Sequence, residues 1–527
     1  MTRVSDPVRL VRRALLARGV RLQHLGSTFV PALTDAQSNA VRELLRVSPV
    51  AVELGQRFAD AGHALHLVGG SVRDALLGRL GDDLDFTTDA RPDAVLRVVD
   101  GWAEARWETG IAFGTVGLMR RGFRIEITTY RADAYDRTSR NPEVTFGDSL
   151  TEDLARRDFS VNAMAVALPE WRAPEAFVDP YGGMDDLEAG VLRTPGTPEQ
   201  SFDDDPLRML RAARFAAQLG FAVDPGVVAA MTAMAGRLDI ISVERIADEL
   251  SKLLCSPHPR AGLELLVGTG LAAQVLPELP ALRLEIDEHH QHKDVYEHTL
   301  QVLERAIALE SGGPDLVLRL AALLHDIGKP KTRRKEAGGG VSFHHHEVVG
   351  GAMARRRLQA LRYPKDVVAA VTLLTELHLR FHGYGQQGTS AWTDSAVRRY
   401  VADAGDQLAR LHLLVRSDCT TRNRRRAAGL AAAYDDLERR IAVLAEKEEL
   451  GRLRPDLDGS AIISLLGVPA GPVVGRAYKH LLALRMEHGP LPRERAEQEL
   501  LAWAAEQGIE SGPGPESGAG AGAGAPP

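Results

Sequence analysis

Two carboxylates, Asp83 and Asp85, stand two positions apart in the segment GDDLDFTTD (81–89). Residues with this spacing point to the same face of a strand, so the two side chains are predicted to lie together. Neighbouring carboxylates repel each other, and a divalent cation relieves that repulsion. The spacing therefore predicts a Mg²⁺ site at the start of a strand, with a solvated strand face as the alternative.

A glycine-rich turn precedes these acids in LVGGSVRDALLG (67–78). Gly69, Gly70 and Ser71 fall between a predicted strand and a predicted helix that contains Arg73. Unblocked backbone N–H groups at such a turn bind phosphate, and a triphosphate is the expected ligand. Paired glycines also occur in turns for steric reasons alone, so the turn becomes informative only through the acids that follow it.

A third acid, Glu126, lies between Ile125 and Ile127 in FRIEITTY (123–130). On a half-buried strand it is predicted to face away from both isoleucines and towards the same ions, or else towards solvent. Three carboxylates that hold Mg²⁺ beside a phosphate-binding turn are the arrangement for nucleotidyl transfer by in-line attack on an α-phosphorus.

Six segments carry a resemblance to a known family. GGSVRDALLG (69–78) followed by DDLDFTTDA (82–90) resembles the head-domain signature of class II tRNA nucleotidyltransferases and bacterial poly(A) polymerases, in the polymerase-beta-like superfamily. Further matches follow in the same order: EDLARRDFSVNAMA (152–165), DPYGGMDDL (179–187), DDPLRMLRAARF (204–215) and VERIADELSKLL (243–254). An ordered set is far more specific than any one motif.

The resemblance implies a nucleotide pocket around Arg156, Arg157 and Asp158. It assigns these three residues to the triphosphate and the ribose 2′-hydroxyl. The alternative is that they form only a charge cluster on the surface. It also implies that the polar loop at 130–147 is mobile and helps the enzyme to switch from C to A addition.

Base selection is predicted for Asp205 and Arg208, which are three apart and are expected to share a helix face. An acceptor beside a forked donor can match the Watson–Crick edge of cytosine or adenine, and by resemblance the pair selects CTP and then ATP. Arg211 is placed in the same site, and the helix at 243–254 is expected to brace it. The family usually has Glu-Asp where this chain has Asp204-Asp205. An exposed ion pair is the alternative.

A second group of residues resembles the HD phosphohydrolase superfamily. His325 and Asp326 are adjacent, and imidazole ligands favour one or two transition metals over Mg²⁺. A bridging Asp326 could serve two ions and generate a hydroxide nucleophile, or the site could only brace the fold. His292 and His382 could also approach it. The ordered ligand set is His298, His325, Asp326, His346, His378 and Asp418.

The sequence leaves the ligand open among His344, His345 and His346. The family pattern places a glutamate directly after the ligand. Because Glu347 follows His346, His346 is favoured.

The predicted fold class is α+β, with a mixed α/β head that contains a small sheet, then an all-helical neck and body and a helical HD domain. Strands are predicted at 63–68, 84–89, 114–119 and 123–130, and helical spacing dominates beyond residue 186. The predicted organisation is a basic, loosely ordered extension (1–36), a nucleotidyltransferase head (37–185), a neck and body (186–285), an HD domain (286–425), a helical region (426–509) and a disordered tail (510–527).

The composition of the chain limits the class of protein to which it can belong. The chain has 527 residues, 44% hydrophobic and 26% charged, which is ordinary for a soluble protein of about three or four domains. It lacks an apolar stretch of about 20 residues and a secretory signal, and its two cysteines build no disulfide framework, so we expect a cytoplasmic protein. The net charge of −7 argues against indiscriminate binding of polyanions.

Basic clusters at 329–335, 355–357 and 422–426 interrupt this acidic balance and could follow the phosphates of a tRNA acceptor stem. The sequence thus predicts Mg²⁺-dependent addition of CCA to tRNA from CTP and ATP. A poly(A) polymerase and a CC-only or A-only enzyme are the near alternatives. A metal-dependent HD phosphohydrolase with an RNA-binding head is the alternative of another class.

Overall fold

The computed structural model describes residues 34–79, 81–131, 146–283, 294–336, 341–381, 392–419, 423–448 and 454–509. Most of the predicted N-terminal extension, most of the 130–147 loop, the predicted tail, His292, His382 and Arg422 lie outside these ranges. The chain divides into two compact units, 1–189 with 193–196 and 190–192 with 197–527. In the described ranges, no helix is both long and apolar enough to span a bilayer.

A seven-stranded mixed sheet forms the centre of the first unit, with the order β3-β4-β5-β2-β1-β6-β7. Its strands are β1 (Leu65–Val68), β2 (Asp83–Thr88), β3 (Ala105–Trp107), β4 (Thr115–Arg120), β5 (Phe123–Thr129), β6 (Ala165–Leu168) and β7 (Phe177–Val178). Only β2 and β5 pair in parallel, and all other neighbours are antiparallel.

Alternation along β2 and β5 separates a buried face from a face that carries charge. The buried face consists of Leu84, Phe86, Ile125 and Ile127, each at most 1% exposed. Asp83, Asp85 and Glu126 occupy the other face, and Asp85 is aligned directly with Glu126 across the two strands. The apolar side chains thereby fix which way the acids point.

Helices flank this sheet. They are α1 (Asp35–Val47), α2 (Pro49–Asp60), α3 (Gly70–Leu76), α4 (Pro92–Val99), α5 (Leu150–Ala155) and α6 (Gly183–Ala189). Helix α1 begins with a capping box, in which Thr34 and Gln37 each bond the other's backbone N–H. Helix α3 starts directly after Gly69, so the glycine-rich turn connects β1 to a helix, as the sequence predicts.

In its described residues the second unit is helical apart from two pairs of two-residue strands, β8 (Val191–Leu192) with β9 (Ala222–Val223) and β10 (Arg334–Lys335) with β11 (Val341–Ser342). Its first helices are α7 (Pro198–Asp204), α8 (Leu207–Leu219), α9 (Pro225–Met234), α10 (Val243–Leu254), α11 (Pro259–Gly268) and α12 (Leu271–Val275). The later helices are α13 (Val295–Leu309), α14 (Leu316–Leu324), α15 (Lys329–Thr332), α16 (His346–Ala360), α17 (Lys365–Leu377), α18 (Asp394–Ala404), α19 (Leu408–Asp418), α20 (Arg424–Glu448), α21 (Gly459–Leu466), α22 (Pro472–His488) and α23 (Arg493–Glu506). This architecture confirms the predicted fold class.

The expectation that Asp205 and Arg208 share a helix face is wrong. Helix α7 ends at Asp204, α8 begins at Leu207, and Asp205 between them is extended, with φ −143° and ψ 99°. The cause is Pro206, because the residue before a proline is disfavoured in helical conformation. The Asp205 carboxylate instead accepts a hydrogen bond from the backbone N–H of Leu207, the first residue of α8, at 3.1 Å.

Candidate active site and candidate metal centre

The acids on β2 and β5 lie close enough to influence one another. Burial raises the pKa of Asp85, and the charges of Glu126 and Asp83 raise it further, whereas Arg157 and Arg73 lower it. These charged groups act on the end of the sheet at which Asp83 is exposed and Asp85 is half-buried. The face therefore carries excess negative charge of the kind that a cation relieves.

Glu126 is paired with a neighbouring arginine of its own strand. Its Oε1 accepts a hydrogen bond from Arg124 Nη2 at 3.0 Å. Among the described residues, the carboxylate oxygens of Asp83, Asp85 and Glu126 do not gather within 4.8 Å of one another as a set. Two carboxylates with substrate phosphates are a common magnesium site, so the two aspartates alone supply a suitable donor set.

Ser71 fixes the glycine-rich turn against β2. Its hydroxyl donates to the Asp83 carbonyl at 3.1 Å and accepts from the Asp85 backbone N–H at 3.0 Å. The two aspartates are thus tied at their own backbone to the turn that precedes them. The sequence placed Ser71 at the nucleotide, but its side chain is used for this attachment.

Gly69 is required by conformation and by space. It has φ +68° and ψ −134°, which L side chains rarely adopt. A Cβ there would lie 3.0 Å from Arg157 Nη1 and 3.7 Å from Asp85 Oδ2. The turn, one aspartate and one arginine of the EDLARRDFSVNAMA segment therefore meet at this glycine.

Asp153 is a candidate site residue that the sequence reasoning missed. It is fully buried, and it accepts hydrogen bonds from Arg156 at 3.0 and 3.1 Å, from Arg157 at 3.4 Å and from Thr87 at 3.1 Å. Burial alone would raise its pKa, but Arg157 and Arg156 bring the pKa of Asp153 below its ordinary value. The carboxylate therefore remains charged and holds both guanidinium groups. Acid-to-arginine spacings of three and four within the segment were the available signal.

A buried chain of polar groups links Asp158 to Arg73. Asn162 donates to Asp158 Oδ1 at 2.9 Å and accepts from Arg73 Nη1 at 2.6 Å. Arg73 also donates two hydrogen bonds to Asp74, at 2.8 and 2.9 Å. Asp158, Asn162 and Arg73 are each at most 7% exposed. Asp158 and Arg73, both predicted to lie at the nucleotide, thus belong to one network of hydrogen bonds, which Arg73 supports from α3.

The predicted base-selecting residues lie in the second unit. Asp205 Oδ2 accepts from Arg245 of α10 at 2.9 Å, and Arg208 donates to Ser201 Oγ at 2.9 Å.

A second set of ion pairs joins α10 to α8. Glu249 of α10, 3% exposed, accepts from Arg214 at 2.6 Å and lies 3.7 Å from Arg211. Helix α10 covers the residues 243–254 expected to brace α8, and these ion pairs are the contacts through which it does so.

The predicted HD residues come together in one cluster of the second unit, called here the histidine cluster: His298, His325, Asp326, His346, His378 and Asp418. Asp326 Oδ2 lies 3.4 Å from His298 Nε2 and 3.2 Å from His325 Nε2. Its Oδ1 lies 3.2 Å from His346 Nε2 and 3.9 Å from His378 Nε2. The two oxygens of Asp326 thus face two separate groups of imidazoles.

Asp418 completes the first group, because its Oδ1 lies 3.0 Å from His298 Nε2 and 3.7 Å from His325 Nε2. Asp326 also has a cationic neighbour, Lys329, whose Nζ is 2.9 Å from Oδ2.

Three histidines of the cluster are oriented by their own backbone. The Nδ1 atoms of His325, His346 and His378 lie 2.9, 2.8 and 2.7 Å from the carbonyl oxygens three residues earlier. A carbonyl only accepts, so each Nδ1 carries a proton, and in the neutral ring that a metal requires Nε2 presents its lone pair to the centre. Nε2 of His346 and of His378 is buried without a hydrogen-bond partner among the residues that the structure describes. An ion with imidazole and carboxylate ligands would satisfy these atoms, so the cluster fits a transition metal.

The electrostatics of the cluster follow from its burial. Burial lowers the pKa of His378, and His325 contributes to a value of about 3. Burial also lowers the pKa of His325, but Asp326 and Asp418 overcome this effect and raise it to about 9. In turn, the imidazoles hold the pKa values of Asp326 and Asp418 well below their usual range despite burial. The carboxylates are thus ionised, as metal ligands must be.

The backbone decides among the three consecutive histidines. His344 and His345 are exposed, while His346 is 3% exposed and directed into the cluster. His345 has φ +62° and ends the preceding turn, so α16 starts at His346 with this side chain inward.

Gly328 permits the close approach of the chain after Asp326 to α16. A Cβ there would lie 2.1 Å from the His346 carbonyl oxygen and 2.7 Å from the Gly350 nitrogen.

Family models match three regions of the chain. Residues 65–193 match the poly A polymerase head domain, residues 220–282 match the "Probable RNA and SrmB- binding site of polymerase A", and residues 295–445 match the HD domain. The chain therefore combines these three regions in the order that the motifs predict.

Curated relatives are CCA-adding enzymes. The enzyme of Lacticaseibacillus paracasei is 39% identical over 245 residues, which are 46% of this chain and 59% of the relative. The enzyme of Anoxybacillus flavithermus is 41% identical over 226 residues, which are 43% of this chain and 54% of the relative. This chain thus spans less than three fifths of the length of these relatives.

Solved structures with this fold are also CCA-adding enzymes. The Bacillus stearothermophilus enzyme in complex with CTP is 27% identical, with a TM-score of 0.62 over 87% of this chain and 98% of that one. The Thermotoga maritima enzyme complexed with tRNA, at 16% identity and a TM-score of 0.54 over 88% and 98% of the two chains, supports the fold alone. Together, the family models and relatives confirm the resemblance noted from the motifs.

Asp153→Asn should weaken the binding of a nucleoside triphosphate, because a neutral side chain cannot hold both Arg156 and Arg157 where Asp153 holds them. Displacement of a positioned group by about 1 Å can cost about 100-fold in rate, and we expect a loss of this order in kcat/KM with CTP. Glu152→Gln changes the charge of an exposed neighbour and is the matched control. Equal effects of the two substitutions would remove the positioning role.

His346→Ala should remove a metal ion from the histidine cluster, since Nε2 of this residue is one of two that face Asp326 Oδ1. We expect the variant to retain less transition metal than the unsubstituted protein after dialysis, measured by elemental analysis. His345→Ala removes the exposed histidine next to it and should leave the metal content unchanged. An identical metal content in His346→Ala and the unsubstituted protein would contradict the assignment.

Proposed function

We propose that this chain adds CCA to the 3′ end of tRNA without a nucleic acid template, using CTP twice and ATP once and releasing pyrophosphate. The observation that carries the proposal is the shared face of Asp83 and Asp85, tied by Ser71 to the turn at Gly69. The relatives named CCA-adding enzymes and the structure solved with CTP support the choice of substrates.

Asp83 and Asp85 would hold Mg²⁺ at the exposed end of β2, and Glu126 would assist from β5. The bound ions would lower the pKa of the attacking 3′-hydroxyl and stabilise the leaving pyrophosphate. The residues themselves orient the ions. The aligned β2 and β5 backbones and the Ser71 hydroxyl set where the carboxylates stand relative to the turn.

The triphosphate would lie against the backbone N–H groups of the turn, where Gly69 leaves room for close approach. Arg156 and Arg157, held by Asp153, would neutralise its charge. Asp158, fixed by Asn162, would accept a hydrogen bond from the ribose 2′-hydroxyl. Gly70 and Ser71 would contribute through their backbone, and Arg73 through the network that it supports.

Asp205 and Arg208 would select the base, with Arg211 beside them on α8. Because Asp205 lies outside the helix, its carboxylate is positioned by the Leu207 backbone N–H and by Arg245 rather than by helical spacing. Reading a base would require Asp205 to exchange Arg245 for the exocyclic amino group, which supplies a donor in both cytosine and adenine.

A second activity is favoured by the histidine cluster, with its two unpartnered Nε2 atoms. We propose that it holds one or two transition-metal ions and hydrolyses a phosphate ester. The ions would supply a hydroxide nucleophile near neutral pH. His298, His325, His346, His378, Asp326 and Asp418 would be the ligands. We further propose a cytoplasmic location, where a tRNA-processing enzyme meets its substrate.

Incubation of a tRNA that lacks its terminal CCA with each nucleotide separately tests the main proposal. We expect two nucleotides to be added from CTP alone, none from ATP alone and three from both. Asp83→Ala and Asp85→Ala should each lower the rate about 1,000-fold, because a lost ion removes about 4 kcal/mol of transition-state stabilisation.

Asp82→Ala, next to the pair and exposed, is the control and should retain activity. A long tail from ATP alone would instead identify a poly(A) polymerase. An end at CC with both nucleotides present would identify a CC-only enzyme, and addition of A only to an RNA already ending in CC would identify an A-only enzyme.

Separate substitution of the two sites tests the second activity. His325→Ala and Asp326→Ala should abolish cleavage of a 2′,3′-cyclic phosphate and spare CCA addition, while Asp83→Ala should do the reverse. Phosphohydrolase activity without any incorporation would favour the HD enzyme with an RNA-binding head. Metal content without cleavage would leave the cluster with a bracing role and would contradict the second activity.

A further inference from the structure

The second unit contains a pocket that brings two of the predicted basic clusters together. Its cavity has a volume of about 300 Å³, and we call it the basic pocket. Lys331 reaches it from α15, and Arg356 and Arg357 reach it from α16. Its full lining is Glu278, Lys331, Met353, Arg356, Arg357 and Ala360.

One of these cations is neutralised and two are not. Arg357 Nε lies 3.0 and 2.9 Å from the two oxygens of Glu278, whose side chain is 14% exposed. Lys331 and Arg356 are exposed, and neither has an acidic partner within 4.0 Å among the residues that the structure describes. The single acid of the lining therefore fixes Arg357 and leaves a net positive pocket.

The positive charge continues beyond the cavity along both segments. Arg333, Arg334, Lys335 and Arg355 are exposed and likewise form no ion pair within the described part of the chain. Elsewhere in this unit arginines are commonly paired, as Arg260 is with Glu264, Glu297 and Glu304. Six cations without an ion pair in the described ranges thus lie in two short segments of a chain of net charge −7.

We propose that the basic pocket binds phosphate groups of an RNA strand, and this inference rests on the proposed function, which makes RNA the substrate. Several cations spaced along two segments match a repeated anion better than a single one. Met353 and Ala360 add apolar surface on which a ribose can pack. A free nucleotide offers the same phosphate chemistry, so the test compares its binding with that of RNA.

The pocket lies along the helix that starts at the histidine cluster. Met353 and Arg357 follow His346 by seven and eleven residues, so all three lie on one side of α16, and the two pocket residues are about 10 and 16 Å from His346 along the axis. An RNA strand held in the pocket would thus run along the helix that supplies a metal ligand.

The test is the salt dependence of tRNA binding to a charge-reversal variant, Lys331→Glu with Arg356→Glu. Loss of two phosphate contacts should lower the affinity about tenfold or more at low salt and reduce the slope of log affinity against log salt by about 2. The matched control is Arg476→Glu with Lys479→Glu. These two exposed cations of α22 also lack an ion pair in the described ranges, and their reversal changes the net charge equally.

Lys331→Gln with Arg356→Gln should give an intermediate affinity, and melting temperature and metal content verify the fold of each variant. Equal losses in the pocket variant and the α22 control would overturn the proposal, since they would reflect only net charge. A fall in CTP or inorganic phosphate binding that matches the fall in RNA binding would identify a free-nucleotide site and overturn it too.

Nucleotide incorporation by the unsubstituted protein distinguishes a failure of the proposed function from a failure of the pocket to bind RNA. If it adds no nucleotide to tRNA, the proposed function fails. If it adds CCA while the pocket variant binds tRNA as the control does, the inference about the pocket alone fails.

Discussion

The cost of burying a carboxylate organises both candidate sites. A buried charge is tolerated only where hydrogen bonds and opposite charges compensate for the loss of water. Asp153 in the first unit and Asp326 in the second are each at most 1% exposed, and each is surrounded by the groups that this compensation demands. Around Asp153 these groups are Arg156, Arg157 and Thr87, whereas around Asp326 they are imidazoles and Lys329. The same charge that must be compensated thus assembles the side chains of both candidate sites.

The strands of the head could be predicted because the apolar alternation is strong. Ile125 and Ile127 are buried on both sides of Glu126, and this pattern fixes its face whatever surrounds the strand. The histidine cluster could be predicted only as an ordered set. The family pattern favoured His346 through Glu347, and the turn at His345 that directs the His346 side chain inward is not encoded by spacing.

Two features escaped the sequence for different physical reasons. Asp205 appeared helical because spacing was considered without the restriction that Pro206 imposes on the residue before it. Asp153 looked like one more charge in an Arg-rich stretch, because its burial depends on β2, sixty-odd residues earlier in the chain. Local pattern can report pairing between neighbours, but a contact with a distant strand becomes visible only in the fold.

The backbone hydrogen bonds of His325, His346 and His378 have a further consequence. They lock each ring in one tautomer and one rotation by contacts made inside its own segment, so the cage is assembled by folding itself. Little reorganisation then accompanies ion uptake, and less of the coordination energy is spent on ordering the ligands. Such a cage can exchange one ion for another while its walls stay in place, and occupancy would follow the supply of metal around the protein.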